Sequence, residues 1–153
     1  MNLRPFTEPD TDQVIALWES CGLLRPWNDP HKDIARKLTV QPELFLVGEE
    51  KLGEETAGEG DAGEGDAAIV AAAMFGYDGH RGWVNYLAVS PTMQGRGFGR
   101  ELMSRGEELL TAAGCPKLSL LVRDTNETAL GFYRALGYEV DPVHALGKRL
   151  IED

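Results

Sequence analysis

The chain has 153 residues and a formal charge of −10 from 15 basic and 25 acidic side chains: enough length for one domain with a real core, but not the basic face that nucleic-acid binding needs to displace counterions. No apolar run reaches the roughly 18 residues of a membrane span, and the start Met1-Asn2-Leu3-Arg4-Pro5-Phe6 lacks the core of a signal peptide, so a cytoplasmic protein with neither nucleic acid nor membrane as partner is expected. Cys21 and Cys115 are the only thiols, which indicates no disulfide framework, and no metal is expected.

In chain order, a first strand is expected around Asn2 to Phe6. Val14, Leu17, Trp18 and Cys21 share one helical face between Asp10 and Gly22, and Asn28-Asp29-Pro30 begins a second short helix that carries Ile34 and Leu38. Leu44 to Gly48 reads as a strand. Residues 53–67 contain six acids and a near-repeat of Ala-Gly-Glu-Gly-Asp without a large apolar residue; such a segment cannot offset its ordering entropy and is read as a mobile loop within a single domain spanning 1–153. Its charge is alternatively an electrostatic collar for cationic amines. Ala68 to Tyr77, Trp83 to Val89, Leu118 to Val122, Tyr138 to Val140 and Ala145 to Leu150 read as further strands. Between them, Phe98, Leu102, Gly106, Leu109, Leu110 and Ala113 form the apolar stripe of a helix that Gly114 stops.

Two stretches carry chemistry. The first, Tyr86-Leu-Ala-Val-Ser-Pro-Thr-Met-Gln-Gly-Arg-Gly-Phe-Gly99, is a strand, a proline stop and a glycine-rich turn entering a helix, whose first amides lie unpaired at its positive end and suit a diphosphate. A dinucleotide fingerprint would require glycine where Arg100 stands, and a P-loop would require Gly-Lys-Ser or Gly-Lys-Thr. Gln94, Gly97 and Gly99 instead fit Gln-x-x-Gly-x-Gly, and here the chain resembles the GNAT N-acetyltransferase superfamily, in which this turn holds the pyrophosphate of acetyl-coenzyme A. The second stretch, Asn126 to Tyr138, has a helix N-cap, apolar residues Ala129, Phe132, Tyr133 and Leu136 at helical spacing, and a stop at Gly137. It resembles the superfamily's downstream motif, Asn-x-x-Ala-x-x-Phe-Tyr followed by Leu-Gly-Tyr. Leu23 to Pro30, Tyr77 to Gly82 and Leu146 to Asp153 look like the YpeA-like bacterial group.

The resemblance implies a mixed α/β fold of the GNAT acyl-CoA N-acyltransferase type, a central splayed sheet of about seven strands with helices on both faces. It also implies acetyl transfer from acetyl-coenzyme A to a primary amine by direct attack in a ternary complex. Leu87, Ala88 and Val89 are then expected at the thioester and pantetheine, Gln94, Gly95, Arg96, Gly97, Phe98, Gly99 and Arg100 at the phosphates, and Asn126 beside the cofactor. Tyr133 is the expected general acid. Many relatives carry a glutamate on the strand before the turn, whereas Trp83-Val84-Asn85-Tyr86-Leu87 has no carboxylate. Asp78, His80 and Glu19 are the candidate bases, each equally readable as a turn, cap or solvated residue, with a water relay as the alternative. Covalent transfer through Cys21 or Cys115 is the rival mechanism, and a non-catalytic acetyl-CoA or CoA sensor the rival function. Leu24 to Asp29 form one wall of the acceptor site on this reading, with Trp27 either in that wall or a packing anchor. The protein is expected to be a monomer, or a homodimer paired through Ala145 to Leu150.

Overall fold

The fold is seen in a computed structural model that describes residues 1–51 and 67–153, so all but the last residue of the acidic segment 53–67 lies outside the described residues. Five strands form one sheet in the order β1 (Asn2–Pro5), β2 (Phe45–Lys51), β3 (Ala67–Tyr77), β4 (Gly82–Val89), β5 (Leu118–Ser119). The first four are antiparallel neighbours and β5 runs parallel to β4. Helices α1 (Thr11–Ser20) and α2 (Pro30–Leu38) precede the β2–β3 pair, α3 (Phe98–Ala112) joins β4 to β5, and α4 (Glu127–Ala135) follows β5.

The central strands are apolar throughout because both sheet faces are covered. Phe45, Val47, Ala72 and Met74 point to one face and pack with Val14, Leu17, Trp18 and Ile34 of α1 and α2. Leu46, Ala71, Ala73 and Phe75, the alternate residues, point to the other and meet Leu102, Met103 and Leu110 of α3. Asp29 caps α2 by accepting from the His31 and Lys32 amides, with Pro30 in the first turn where a missing N–H costs nothing. In α3 the buried stripe is Phe98, Leu102, Met103, Gly106 and Leu110, while Leu109 is half-buried and Ala113 exposed. Gly106 lies against the buried Phe75 ring so closely that a Cβ there would overlap it.

The C-terminal part differs from the seven-strand expectation. β5 is two residues long rather than five, and neither Tyr138–Val140 nor Ala145–Leu150 is a strand. The Tyr138 amide donates instead to the Tyr133 carbonyl (3.0 Å), closing α4 around Gly137 at φ +92°, so it is committed to the helix end and not to a ladder. Pro142 has no amide to offer, and the Val143 amide closes a turn on Asp141 (2.9 Å). A homodimer edge built from Ala145 to Leu150 therefore has no strand behind it, and Val140, Val143, Leu146 and Leu150 are exposed.

One ion-pair cluster ties β1 to the start of α1. Arg4 donates through both terminal nitrogens to the buried Asp10 (2.7 and 2.8 Å) and through Nε to Glu49 (2.8 Å), while Thr7 donates its amide and hydroxyl to the same Asp10 oxygen. The bond from Arg4 holds the Asp10 carboxyl below the ordinary range. Its folded value lying under its unfolded one, Asp10 stabilises the fold above about pH 4 and that contribution fades as pH falls further, through the folded value. Asp10→Asn is expected to lower stability at neutral pH and to flatten the loss below about pH 4, read from urea midpoints between pH 3 and 7. Gly106→Ala is expected to destabilise by about 1–3 kcal/mol through overpacking, although alanine is the better helix former by about 1 kcal/mol; a rise in Tm would contradict the packing account.

Candidate active site

The site is built around β4, which has a partner on one side only for most of its length. Its antiparallel pairing with β3 runs from Gly82↔Tyr77 to Val89↔Ala71, but β5 meets it only at Gly82↔Leu118 and Trp83↔Ser119. Beyond Trp83 no ladder pair joins β4 to β5, which ends at Ser119. On the β3 side there is a second interruption: Asn85 faces Met74 and Ala88 faces Ala72, leaving Tyr86 and Leu87 together opposite Ala73. This is a bulge, and Tyr86 adopts φ +53° within it, a left-handed conformation that disfavours a side chain by about 1–2 kcal/mol. The Tyr86 ring stacks on buried Trp18 (4.2 Å between centroids) and its hydroxyl donates to Asp33 Oδ2 on α2 (2.6 Å).

The end of β4 is fixed from two directions. The Val89 carbonyl accepts from Cys21 Sγ at the end of α1 (3.3 Å) and from Gln94 Nε2 in the turn (3.2 Å). The Ser90 amide donates to the Val70 carbonyl (2.8 Å), and a single 3-10 turn, Pro91–Met93, follows. Gly95 (φ +78°) and Gly97 (φ +86°) then curl the backbone into α3; a Cβ at either would meet nothing, so conformation and not space requires glycine. Gly97 is the N-cap and carries no side-chain oxygen, and the first intrahelical bond is from the Glu101 amide to the Gly97 carbonyl (3.0 Å). The amides of Phe98, Gly99 and Arg100 thus lack an acceptor within the helix, at its positive end. Arg96, lying 5.0 Å from the Phe98 ring centre and donating to Met93 Sδ, and Arg100 are exposed beside them.

The two sequence motifs meet at Gly99. A Cβ there would stand 3.1 Å from the Phe132 ring and 3.6 Å from Val89 Cγ2. Asn126 caps α4 by accepting from the Ala129 amide (3.0 Å), so its side-chain oxygen serves the helix. Tyr133 packs edge-on against Phe132 (5.1 Å) and Tyr138 (5.7 Å) in the same apolar cluster as Leu87 and Val89. Its hydroxyl makes no hydrogen bond among the described residues, and burial pushes the phenol up to about 12. The neighbouring Tyr138 phenol is committed to Glu107 (2.6 Å). An open cavity of about 820 Å³ lies on the β5 side of Tyr133, bordered by Leu118 to Val122, Tyr138 and Val140, and reaches neither Leu87–Val89 nor the glycine turn.

The candidate bases are dispersed. Asp78 accepts from the His80 and Arg81 amides (2.8 and 2.7 Å) and from Trp83 Nε1 (3.2 Å), and these bonds hold its carboxyl below the ordinary range. Asp78 and His80 are exposed in the β3–β4 hairpin, before β4 begins; at about 3.3 Å per residue that end is separated from Leu87 by about 16 Å of strand. Glu19 is exposed on α1. Trp27 is 53% exposed, which is not the burial of a packing anchor, while Leu23 and Leu24 pack against the α1 and α2 core. The meeting of Tyr86, Asp33 and Trp18 at the bulge is not foreseen in the sequence: Trp18 reads only as a core position, and a tyrosine in the left-handed region leaves no signal in the residue string.

A sequence profile described as the Acetyltransferase (GNAT) family matches residues 13–138. The chain belongs to this family. It is 49% identical over 153 residues to "Acetyltransferase YE1169" of Yersinia enterocolitica, covering 100% of this chain and 98% of that protein. Among solved structures it is similar to a putative acetyltransferase from Agrobacterium tumefaciens, with TM-score 0.72, 19% identity and coverage of 97% and 100% of the two chains. It is also similar to Chaetomium thermophilum Naa20 in complex with a bisubstrate analogue, with TM-score 0.67, 22% identity and coverage of 92% and 72%; at these identities the two structures speak for the fold. This GNAT protein is an acetyltransferase with acetyl-CoA as co-substrate. No His, Cys, Asp and Glu group among the described residues could hold a metal ion, and no described helix is long and apolar enough to cross a membrane. Gly97→Ala, which forces a side chain into the left-handed N-cap, is expected to weaken CoA binding several-fold in isothermal titration calorimetry; unchanged affinity would separate the turn from the phosphates.

Proposed function

We propose that this chain transfers the acetyl group of acetyl-CoA to a primary amine of a small molecule or peptide by direct attack in a ternary complex. The observation that carries this reading is the release of β4 from both neighbours at Tyr86 and Leu87, eight residues before Gly95 opens a glycine turn and an uncapped helix start. The α3 amides and Arg96 and Arg100 take the pyrophosphate. Pantetheine enters beside β4 where its pairing with β5 has ended, and backbone groups of Leu87 to Val89 hold the acetyl carbonyl and stabilise its oxyanion. The acceptor approaches from the side of α1, α2 and the segment Leu24 to Asp29. Two free thiols suit the reducing cytoplasm.

Tyr133 acts as general acid toward the departing sulfur. A phenol at about 12 is fully protonated at neutral pH, and the burial that weakens it as an acid also raises the basicity of a thiolate released beside it, which narrows the mismatch. Direct attack is favoured over an acetyl-cysteine because neither thiol bonds to a basic side chain among the described residues: Cys21 donates to the Val89 carbonyl and Cys115 to the Lys117 carbonyl. No carboxylate lies on β4, and Asp78 is occupied by its turn, so water relays the amine proton to solvent.

The reading is tested by thiol release from acetyl-CoA against a panel of peptide N-termini, lysine, polyamines and small amines. Tyr133→Phe is expected to lower kcat at least tenfold while acetyl-CoA affinity changes less than threefold. Turnover at the wild-type rate removes the acid role, and acetyl-CoA binding without release for every amine converts the enzyme into a sensor.

A further inference from the structure

Tyr86 is, with Gln41, one of two non-glycine residues with positive φ among the described residues, and it stands at the bulge of β4. We infer that Tyr86, clamped by Asp33 and Trp18, is a positioning residue for acetyl transfer: the clamp holds the left-handed bulge that fixes the Leu87 backbone, and so ties α2 to the place where the thioester is held. The inference rests on the proposed role of Leu87 to Val89.

A bulge next to a free strand edge has no ladder to hold it in register. Neither Tyr86 nor Leu87 has a register partner on β3, and β5 has already left β4, so the main chain there is free to slip toward ordinary extended geometry. A glycine would occupy the left-handed position without strain, yet it would fix nothing. Tyrosine reverses both properties, since its side chain is held at the ring and at the hydroxyl. The ring lies on Trp18 with planes 21° apart, and Trp18 is itself fully buried and stacked on Phe45 (6.2 Å). The hydroxyl donates to Asp33 Oδ2 at 2.6 Å, and the other Asp33 oxygen accepts from Arg36 (3.1 Å), which also pairs with Asp153. Asp33 is thus an anchored acceptor whose oxygens are both engaged, which suits holding a neighbour better than receiving a substrate. Burial and the Asp33 bond push the Tyr86 phenol up to about 12, so the donor proton stays in place across the physiological range. Strain retained at such a point is a device for pre-organisation.

The test combines kinetics with amide hydrogen exchange on the full chain, using the amine found in the acceptor panel, or the basal hydrolysis of acetyl-CoA if no amine reacts. Tyr86→Phe keeps the stack and removes the hydroxyl; Asp33→Ala removes the acceptor; Asp33→Asn keeps one. Tyr86→Phe and Asp33→Ala are each expected to lower kcat about tenfold with KM for acetyl-CoA within threefold, and to speed exchange at residues 85–88. The double variant should be no worse than either single one, and Asp33→Asn should stay within threefold of wild type. Unchanged kcat and exchange in both single variants, or losses that multiply in the double variant, overturns the clamp. Wild-type exchange with and without acetyl-CoA separates the two levels: protection at Leu87–Val89 by the cofactor upholds the thioester site whatever the variants do, and its absence removes site and clamp together.

Discussion

On the proposed reading, acetyl transfer in this fold depends on backbone amides and carbonyls of β4 being left without strand partners. An unpaired main-chain group is costly when buried, and a sheet ordinarily removes the cost by pairing. Here a parallel strand touches β4 for two residues and departs, and a bulge interrupts the other side three residues later. The rest of the structure makes that arrangement tolerable. α1 and α2 press one face of the sheet and α3 the other, so the strand stays in place while its edge opens. Cys21 and Gln94 hold the Val89 carbonyl where the strand ends.

The proposed site also offers a reason why a chain of charge −10 can accommodate a polyanionic co-substrate. The positive features are local and directional: free amides at the start of α3, its dipole, and two exposed guanidinium groups within the turn. Overall repulsion is screened within about a Debye length, near 8 Å at physiological salt, whereas contacts at the helix end act at hydrogen-bond distance. Net charge therefore says little about the donor.

The glycine turn and α4 were legible in the sequence because their requirements are local. Glycines at 95 and 97 report backbone conformations that no other residue adopts without strain, and the Asn126 cap and Gly137 stop report the two ends of α4. Strands β1 to β4 were legible for a related reason: alternation and apolar runs register burial on one or both faces. The C-terminal strands were not, since Tyr138 to Val140 and Ala145 to Leu150 carry strand-forming side chains whose pairing depends on partners far along the chain. In the fold the Tyr138 amide caps α4 instead. The bulge at Tyr86 was invisible for a third reason. Glycine advertises a left-handed position, but tyrosine occupies one only because Trp18 and Asp33, 68 and 53 residues earlier in the chain, hold its two ends.

That distinction also accounts for how unevenly donor and acceptor can be read. Every acetyl-CoA presents the same diphosphate and pantetheine arm, so a protein meets it with main-chain groups whose geometry a short motif encodes. An amine has only its nitrogen in common with other amines; what sets one apart is the surface around it, and that is met by side chains from separate elements. On the proposed reading the acceptor side draws on the α1–α2 segment, with Trp27 half exposed and Asn28 and Asp29 at the start of α2. Asp29 caps α2 through the His31 and Lys32 amides, and Asp33, one turn further along, is committed to Tyr86 and Arg36, so both carboxylates already have partners within the fold. On the proposed reading, selectivity among amines then draws more on the shape of this segment than on a free charge within it.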